Sequence, residues 1–174
     1  MELLLIDTNV PIGSQYEHDL GVTLEVPMHI QPGENTTLNA TVYNVGLSDE
    51  ANVALQIIIN DTVVDDVMIS ALPANERHTL CHSWAPTVEA IYNITAYAPP
   101  VLGENASVNN VVSKMVLVRY LPKLLVVDTP LPEDTGALDM LGYEYTLITP
   151  TEFATVDLYQ YNVLFIGWEP GHTL

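Results

Sequence analysis

Two sets of residues in this chain have types and spacing that could do chemistry. The first is the carboxylate pairs Asp49-Glu50 and Asp65-Asp66, which sit in or beside turn-like stretches. A hard cation such as calcium gathers about six to eight oxygen ligands from such groups, so these four are the candidate calcium ligands, although their spacing matches no EF-hand loop. The plainer alternative is a set of solvated turn carboxylates. The second set is five N-x-[ST] sequons, at Asn35, Asn39, Asn60, Asn93 and Asn105, none with proline in the middle. A glycan is bulky and can be carried only at a surface position. Asn39 and Asn93 fall on the polar face of alternating strands, and the other sequons fall in or near turns.

Other reactive residues do not assemble into a site. His78-Thr-Leu-Cys81-His82 looks like a metal cluster, but a strand alternates its faces. Cys81 then points with Thr79 and Ser83, whereas His82 points with His78, Leu80 and Trp84, and a zinc ion needs four converging ligands. Cys81 is the sole cysteine, so no internal disulfide forms and the residue reads as structural. His18, His29, His78, His82 and His172 are scattered, with no Ser and Asp at a recognisable catalytic spacing.

Composition narrows the function classes. The 174 residues include 22 acidic side chains against four basic ones, Arg77, Lys114, Arg119 and Lys123, for a net charge of −18. Phosphate recognition needs clustered Lys and Arg, so nucleic acid is excluded as a partner, as is adhesion to anionic lipid. No apolar run approaches the roughly 18–20 residues that span a bilayer, so no membrane insertion is expected. The opening Met1-Glu-Leu-Leu-Leu-Ile-Asp lacks the basic start and cleavage site of a signal peptide. Export would require a signal upstream of Met1.

The elements that must position these residues are mostly strands. In Leu38-Asn-Ala-Thr-Val-Tyr43, the residues Leu38, Ala40 and Val42 share one face, and Val53, Leu55, Ile57 and Ile59 repeat the pattern. Asn60-Asp61 then predicts a hairpin into Thr62-Val63-Val64. Alternation predicts further strands at Leu20–Met28, Glu76–Trp84, Glu89–Tyr97 and Asn110–Val118, with Trp84 anchoring the core. Seven short strands separated by regular turn signals predict an immunoglobulin-like β-sandwich over residues 18–119. Residues 1–17 read as a linker or the end of a preceding domain.

From Leu121 the pattern changes. Lys123-Leu-Leu-Val-Val-Asp128 is a continuous apolar run, as in strands buried on both faces. Expected helices at Glu133–Leu141 and Thr151–Leu158 alternate with strands at Glu144–Ile148 and Asn162–Gly167, giving a truncated α/β (βαβαβ) segment over 122–174. The expectation is a mainly β fold with this partial domain attached, within a larger protein.

Residues 18–118 resemble the CARDB family, the cell-adhesion-related domain of archaeal and bacterial surface proteins. The resemblance is carried by HDLGVTLEVP at 18–27, QPGENTTLNATVYNVG at 31–46, WAPTVEAIYNITAYAPPVLGENASVNN at 84–110 and VVSKMVLV at 111–118. It implies a non-catalytic extracellular module of a larger surface or secreted protein. Its implied partners are neighbouring domains of the same polypeptide, other surface proteins or glycans. Residues 122–174 resemble the start of a flavodoxin-like or class I glutamine-amidotransferase-like domain. That second resemblance implies an alternative, an accessory region of a secreted enzyme whose active site lies elsewhere, because no nucleophilic cysteine follows a strand here. No cofactor other than possible calcium is implied.

Overall fold

The structure, a computed structural model, describes residues 4–5, 15–127, 136, 138–140 and 143–166. The chain divides into two compact units, Glu2–Tyr120 and Leu121–Leu174.

The first unit is a β-sandwich of the immunoglobulin-like class. Its strands are β1 (Leu4–Leu5), β2 (Leu20–Pro27), β3 (His29–Ile30), β4 (Thr36–Asn44), β5 (Glu50–Ile59), β6 (Thr62–Leu72), β7 (Arg77–Trp84), β8 (Ala90–Tyr97) and β9 (Val111–Val118). One sheet runs β1-β2-β4-β7 and the other β3-β9-β8-β5-β6. The expectation of seven strands captures those of eight residues or more. It misses two strands of two residues each, β1 and β3. These are too short to carry an alternating pattern. Within residues 1–17, read as a linker or the end of a preceding domain, Leu4 pairs with Pro27 and Leu5 with Val26 in the first sheet, and residues 6–14 lie outside the described residues.

Alternation explains the core. Leu38, Ala40 and Val42 of β4 face Leu55 and Ile57 of β5 and Ile94 and Ala96 of β8 in one cluster, each wholly buried. Burying an aliphatic side chain of this kind contributes roughly 1.5–3 kcal/mol, so this cluster carries much of the stability. Trp84 packs on the cluster and meets Tyr92 edge to face, with ring centroids 5.1 Å apart. Asn60 and Asp61 adopt φ of 46° and 65°, the left-handed conformation of a tight hairpin turn, and bring Ile59 opposite Thr62. Val64 is an extra residue in β6, since Ile57 pairs with Asp65 and Ile58 with Val63. A bulge and charges on an edge strand hinder its pairing with another chain.

The second unit contains three parallel strands, β10 (Leu124–Val127), β11 (Tyr145–Ile148) and β12 (Val163–Ile166), in the order β11-β10-β12. All four residues of β10 are buried, as a continuous apolar run in a central strand requires, whereas those of β12 are all exposed. The expected helix at Glu133–Leu141 is helical at Gly136 and Leu138–Met140, and the rest of it lies outside the described residues, as do Asp128 and Gly167. The helix expected over Thr151–Leu158 is replaced by two 3-10 turns, Phe153–Thr155 and Leu158–Gln160. Glu152 and Asp157 tie up backbone N–H groups at Thr149 and Tyr159, fixing separate turns instead of one continuous helix.

Candidate functional site

The four candidate calcium ligands do not come together. Glu50 stands opposite Leu72 and Asp66 opposite Gln56, so the two pairs lie six residues apart along β5. At a strand rise of about 3.3 Å per residue this is about 20 Å, far beyond the reach of one ion. Each of three carboxylates also has its own role. Asp49 accepts from Ala74 N at 2.9 Å, closing the turn between β6 and β7. Glu50 accepts from His18 Nδ1 at 2.7 Å, and Asp65 from His82 Nδ1 at 3.0 Å. Among the described residues, no three His, Cys, Asp or Glu side chains are grouped to hold a metal.

The sequons separate into two classes. Asn35, Asn60 and Asn105 are exposed, whereas Asn39 and Asn93 are half-buried in mid-strand. Asn39 stands between Glu25 and Cys81, and Asn93 is paired with Met115. Asn60 Oδ1 accepts from Asn93 N at 2.9 Å, and Asn35 Oδ1 accepts from Ser83 Oγ at 2.8 Å. In both, the amide nitrogen that would carry a sugar is not the atom engaged. Cys81 is exposed on the outer face of β7, and His82 lies on the face of Leu80 and Trp84, so the strand separates them as alternation requires.

A polar cluster that the sequence did not single out closes one end of the sandwich. Asn44 is 1% exposed, yet its side chain is satisfied: Nδ2 donates to Ser48 O and Leu72 O, each at 2.9 Å, and Oδ1 accepts from Gly46 N at 3.1 Å. Gly46 then passes so close to the segment leading into β2 that a Cβ would lie 2.8 Å from both Asp19 N and Glu17 O. Glu104 spans the corner, its two oxygens accepting from Leu20 N at 2.8 Å and Val101 N at 2.9 Å. Asn109 Nδ2 donates to Asp19 Oδ1 at 2.9 Å. The Asn44-Val-Gly46 turn and the Asn109-Asn110 pair were visible in the sequence, but their partners lie up to 90 residues away and left no local signal.

Comparisons with known proteins bear on the family and the fold. The CARDB family model matches residues 17–114. A crystal structure of the CARDB domain of a Pyrococcus furiosus protein, in complex with di-metal ions, is similar at a TM-score of 0.57 and 24% identity, covering 65% of this chain and 97% of that one. A solution structure of the same Pyrococcus domain gives a TM-score of 0.52 and 27% identity, covering 61% of this chain and 98% of that one. No curated protein matches this chain. The family match ends before β10, and these comparisons lend no support to the flavodoxin-like or amidotransferase-like resemblance of residues 122–174.

Proposed function

The chain belongs to the CARDB family of non-catalytic modules, and from that premise we propose that it is an extracellular spacer or adhesion module of a larger surface or secreted protein. The observation that carries this reading is the sandwich itself. Its alternating strands bury one aliphatic core, and among the described residues Asp49, Glu50 and Asp65 are tied into separate contacts. The acidic surface and the exposed sequons at Asn35, Asn60 and Asn105 support export and glycosylation. Among the described residues no helix is long and apolar enough to cross a membrane. Its partners would be neighbouring domains, other surface proteins or glycans, meeting the strand faces and end loops. The test is the mass of the protein taken from its native source, before and after deglycosylation.

A second reading draws on the three parallel strands of the other unit, whose edge strand β12 is exposed along its length. A parallel sheet is ordinarily covered on both faces, so this unit suits a larger α/β domain, and the sandwich would then be the accessory part of a secreted enzyme.

We also propose that the module takes a divalent cation, calcium being the hard ion best suited to its oxygen-rich surface. Support comes from the 22 acidic against four basic residues and from the metal-bound Pyrococcus domain.

A further inference from the structure

The outer face of the larger sheet of the sandwich differs from the rest of this acidic chain. Ile91 of β8 pairs with Leu117 of β9, Asn93 pairs with Met115, and His29 of β3 stands beside Leu117 in the same row. Leu55, Ile57, Ile94, Ala96 and Val116 point into the core, so the residues that alternate with them point outward. From Ala54 to Ile58 on β5, Ile91 to Tyr97 on β8 and Val111 to Leu117 on β9, none of these outward residues is charged. Apolar side chains stand open among them. Ile91 is 61% exposed and Met115 62%, and Met68 of β6, paired with Ala54, is 63% exposed. The outer face of the other sheet carries the polar Thr41, Thr79 and Ser83 instead. An apolar patch with a polar rim marks a surface that meets another molecule.

Charge selects that molecule. With a net charge of −18, two copies of the chain repel each other wherever carboxylates face carboxylates. This face has a neutral centre, and its flanks have opposite signs. Arg119 follows β9 and donates its N–H to Ile30 O of β3, on one flank. Asp61 and Asp66 belong to the β5–β6 hairpin, on the other flank. All three are exposed, and among the described residues no ion pair engages any of them. A two-fold axis parallel to the strands lays the Arg119 flank of one copy over the Asp61 and Asp66 flank of the other, and does so twice.

We propose that the outer face of β9, β8, β5 and β6 is a self-association surface, on which a second copy of this chain packs sheet to sheet about a two-fold axis. Sheets stack about 10 Å apart with their strands within about 30° of alignment, and side chains such as Ile91 and Met115 fill that gap. Four strands about 4.8 Å apart and about eight residues long cover roughly 500 Å² per copy. Pairing then buries about 1,000 Å² in all, the lower bound for a specific interface, so the dimer is weak and reversible. Asn93 stands in the middle of the face, and this packing requires it to carry no sugar.

The test is sedimentation equilibrium of the full chain, without glycans, from about 10 μM to 1 mM. The average mass is expected to climb from 19.1 kDa toward twice that value, with half of the chain dimeric at about 0.1–1 mM. Ile91→Glu/Met115→Glu sets like charges against each other in the contact and is expected to weaken the dimer at least about tenfold. Its melting temperature stays near that of the wild type, because both side chains are already exposed. Leu164→Glu, in the exposed strand β12 of the second unit, is expected to leave the dimer unchanged. In the wild type, dilution is expected to move the amide signals of residues 91–97 and 111–117, a readout that needs no variant. A mass that stays at 19.1 kDa up to about 1 mM overturns the proposal. A dimer that survives Ile91→Glu/Met115→Glu but is lost in Leu164→Glu overturns it equally, and either result leaves the spacer reading standing.

Discussion

Asn109 donates to Asp19 across 90 residues of sequence, at 2.9 Å, and so locks the first long strand of the sandwich to the turn that launches the last. Around this contact Glu104 holds Leu20 and Val101 by their N–H groups, and Gly46 lies against the backbone of Glu17 and Asp19. One end of the sandwich is therefore a polar knot, whereas its middle is an aliphatic core.

The knot leaves no room at Gly46. In Gly46→Ala the new Cβ meets backbone atoms of Asp19 and Glu17 at 2.8 Å, and backbone cannot swing aside as a flexible side chain could. The chain must shift at the corner where Val45 N and Gly46 N both donate to Asp19 O. A loss of about 1–3 kcal/mol is expected, seen as a lower urea midpoint with an unchanged slope. An unchanged midpoint would show that the corner is loose.

Glycosylation should follow exposure, not the sequon alone. Asn35, Asn60 and Asn105 are exposed, while Asn39 and Asn93 lie half-buried within interior strands. Peptide mapping of native protein is expected to find sugar on one or more of the first three and none on the last two. Sugar on Asn39 or Asn93 would mean that those strands are open when the modification is made.

Acid should loosen one turn of the second unit as Glu152 is protonated. Glu152 accepts from both the backbone N–H and the hydroxyl of Thr149, each at 2.8 Å, as in a capping box. These bonds, the backbone one first, hold its carboxyl below the ordinary value of 4.5. Because the folded value is depressed, the turn is favoured above about pH 4.5 and loses that support as pH falls through the folded value. A carboxyl titration by NMR is expected to give Glu152 a midpoint below 4.5, moving upward in Thr149→Val. A midpoint unmoved by that substitution would remove the hydroxyl from the account.

The strands were legible because their signal is local. Leu38, Ala40 and Val42 announce a buried face within five residues, and Asn60-Asp61 announces a turn by its tolerance of positive φ. The polar cluster at the end of the sandwich was not legible for the converse reason. Asp49-Glu50 and Asp65-Asp66 are conspicuous as neighbours in sequence, but the pairing of β5 with β6 holds them apart. Asp19 and Asn109 are unremarkable where they stand and acquire meaning only when β2 and the turn before β9 meet. The 3-10 turns of the second unit were missed because Thr149, Glu152 and Asp157 commit their polar groups to local hydrogen bonds, which a helical pattern of apolar residues does not register.

The central claim is that this sandwich works outside the cell as part of a larger, modified protein, and the intact mass of the protein from its native source tests it most directly. The account expects a mass well above 19.1 kDa that falls on deglycosylation, with peptides of this chain recovered from the surface fraction. An unmodified mass of 19.1 kDa in the cytosolic fraction would contradict it.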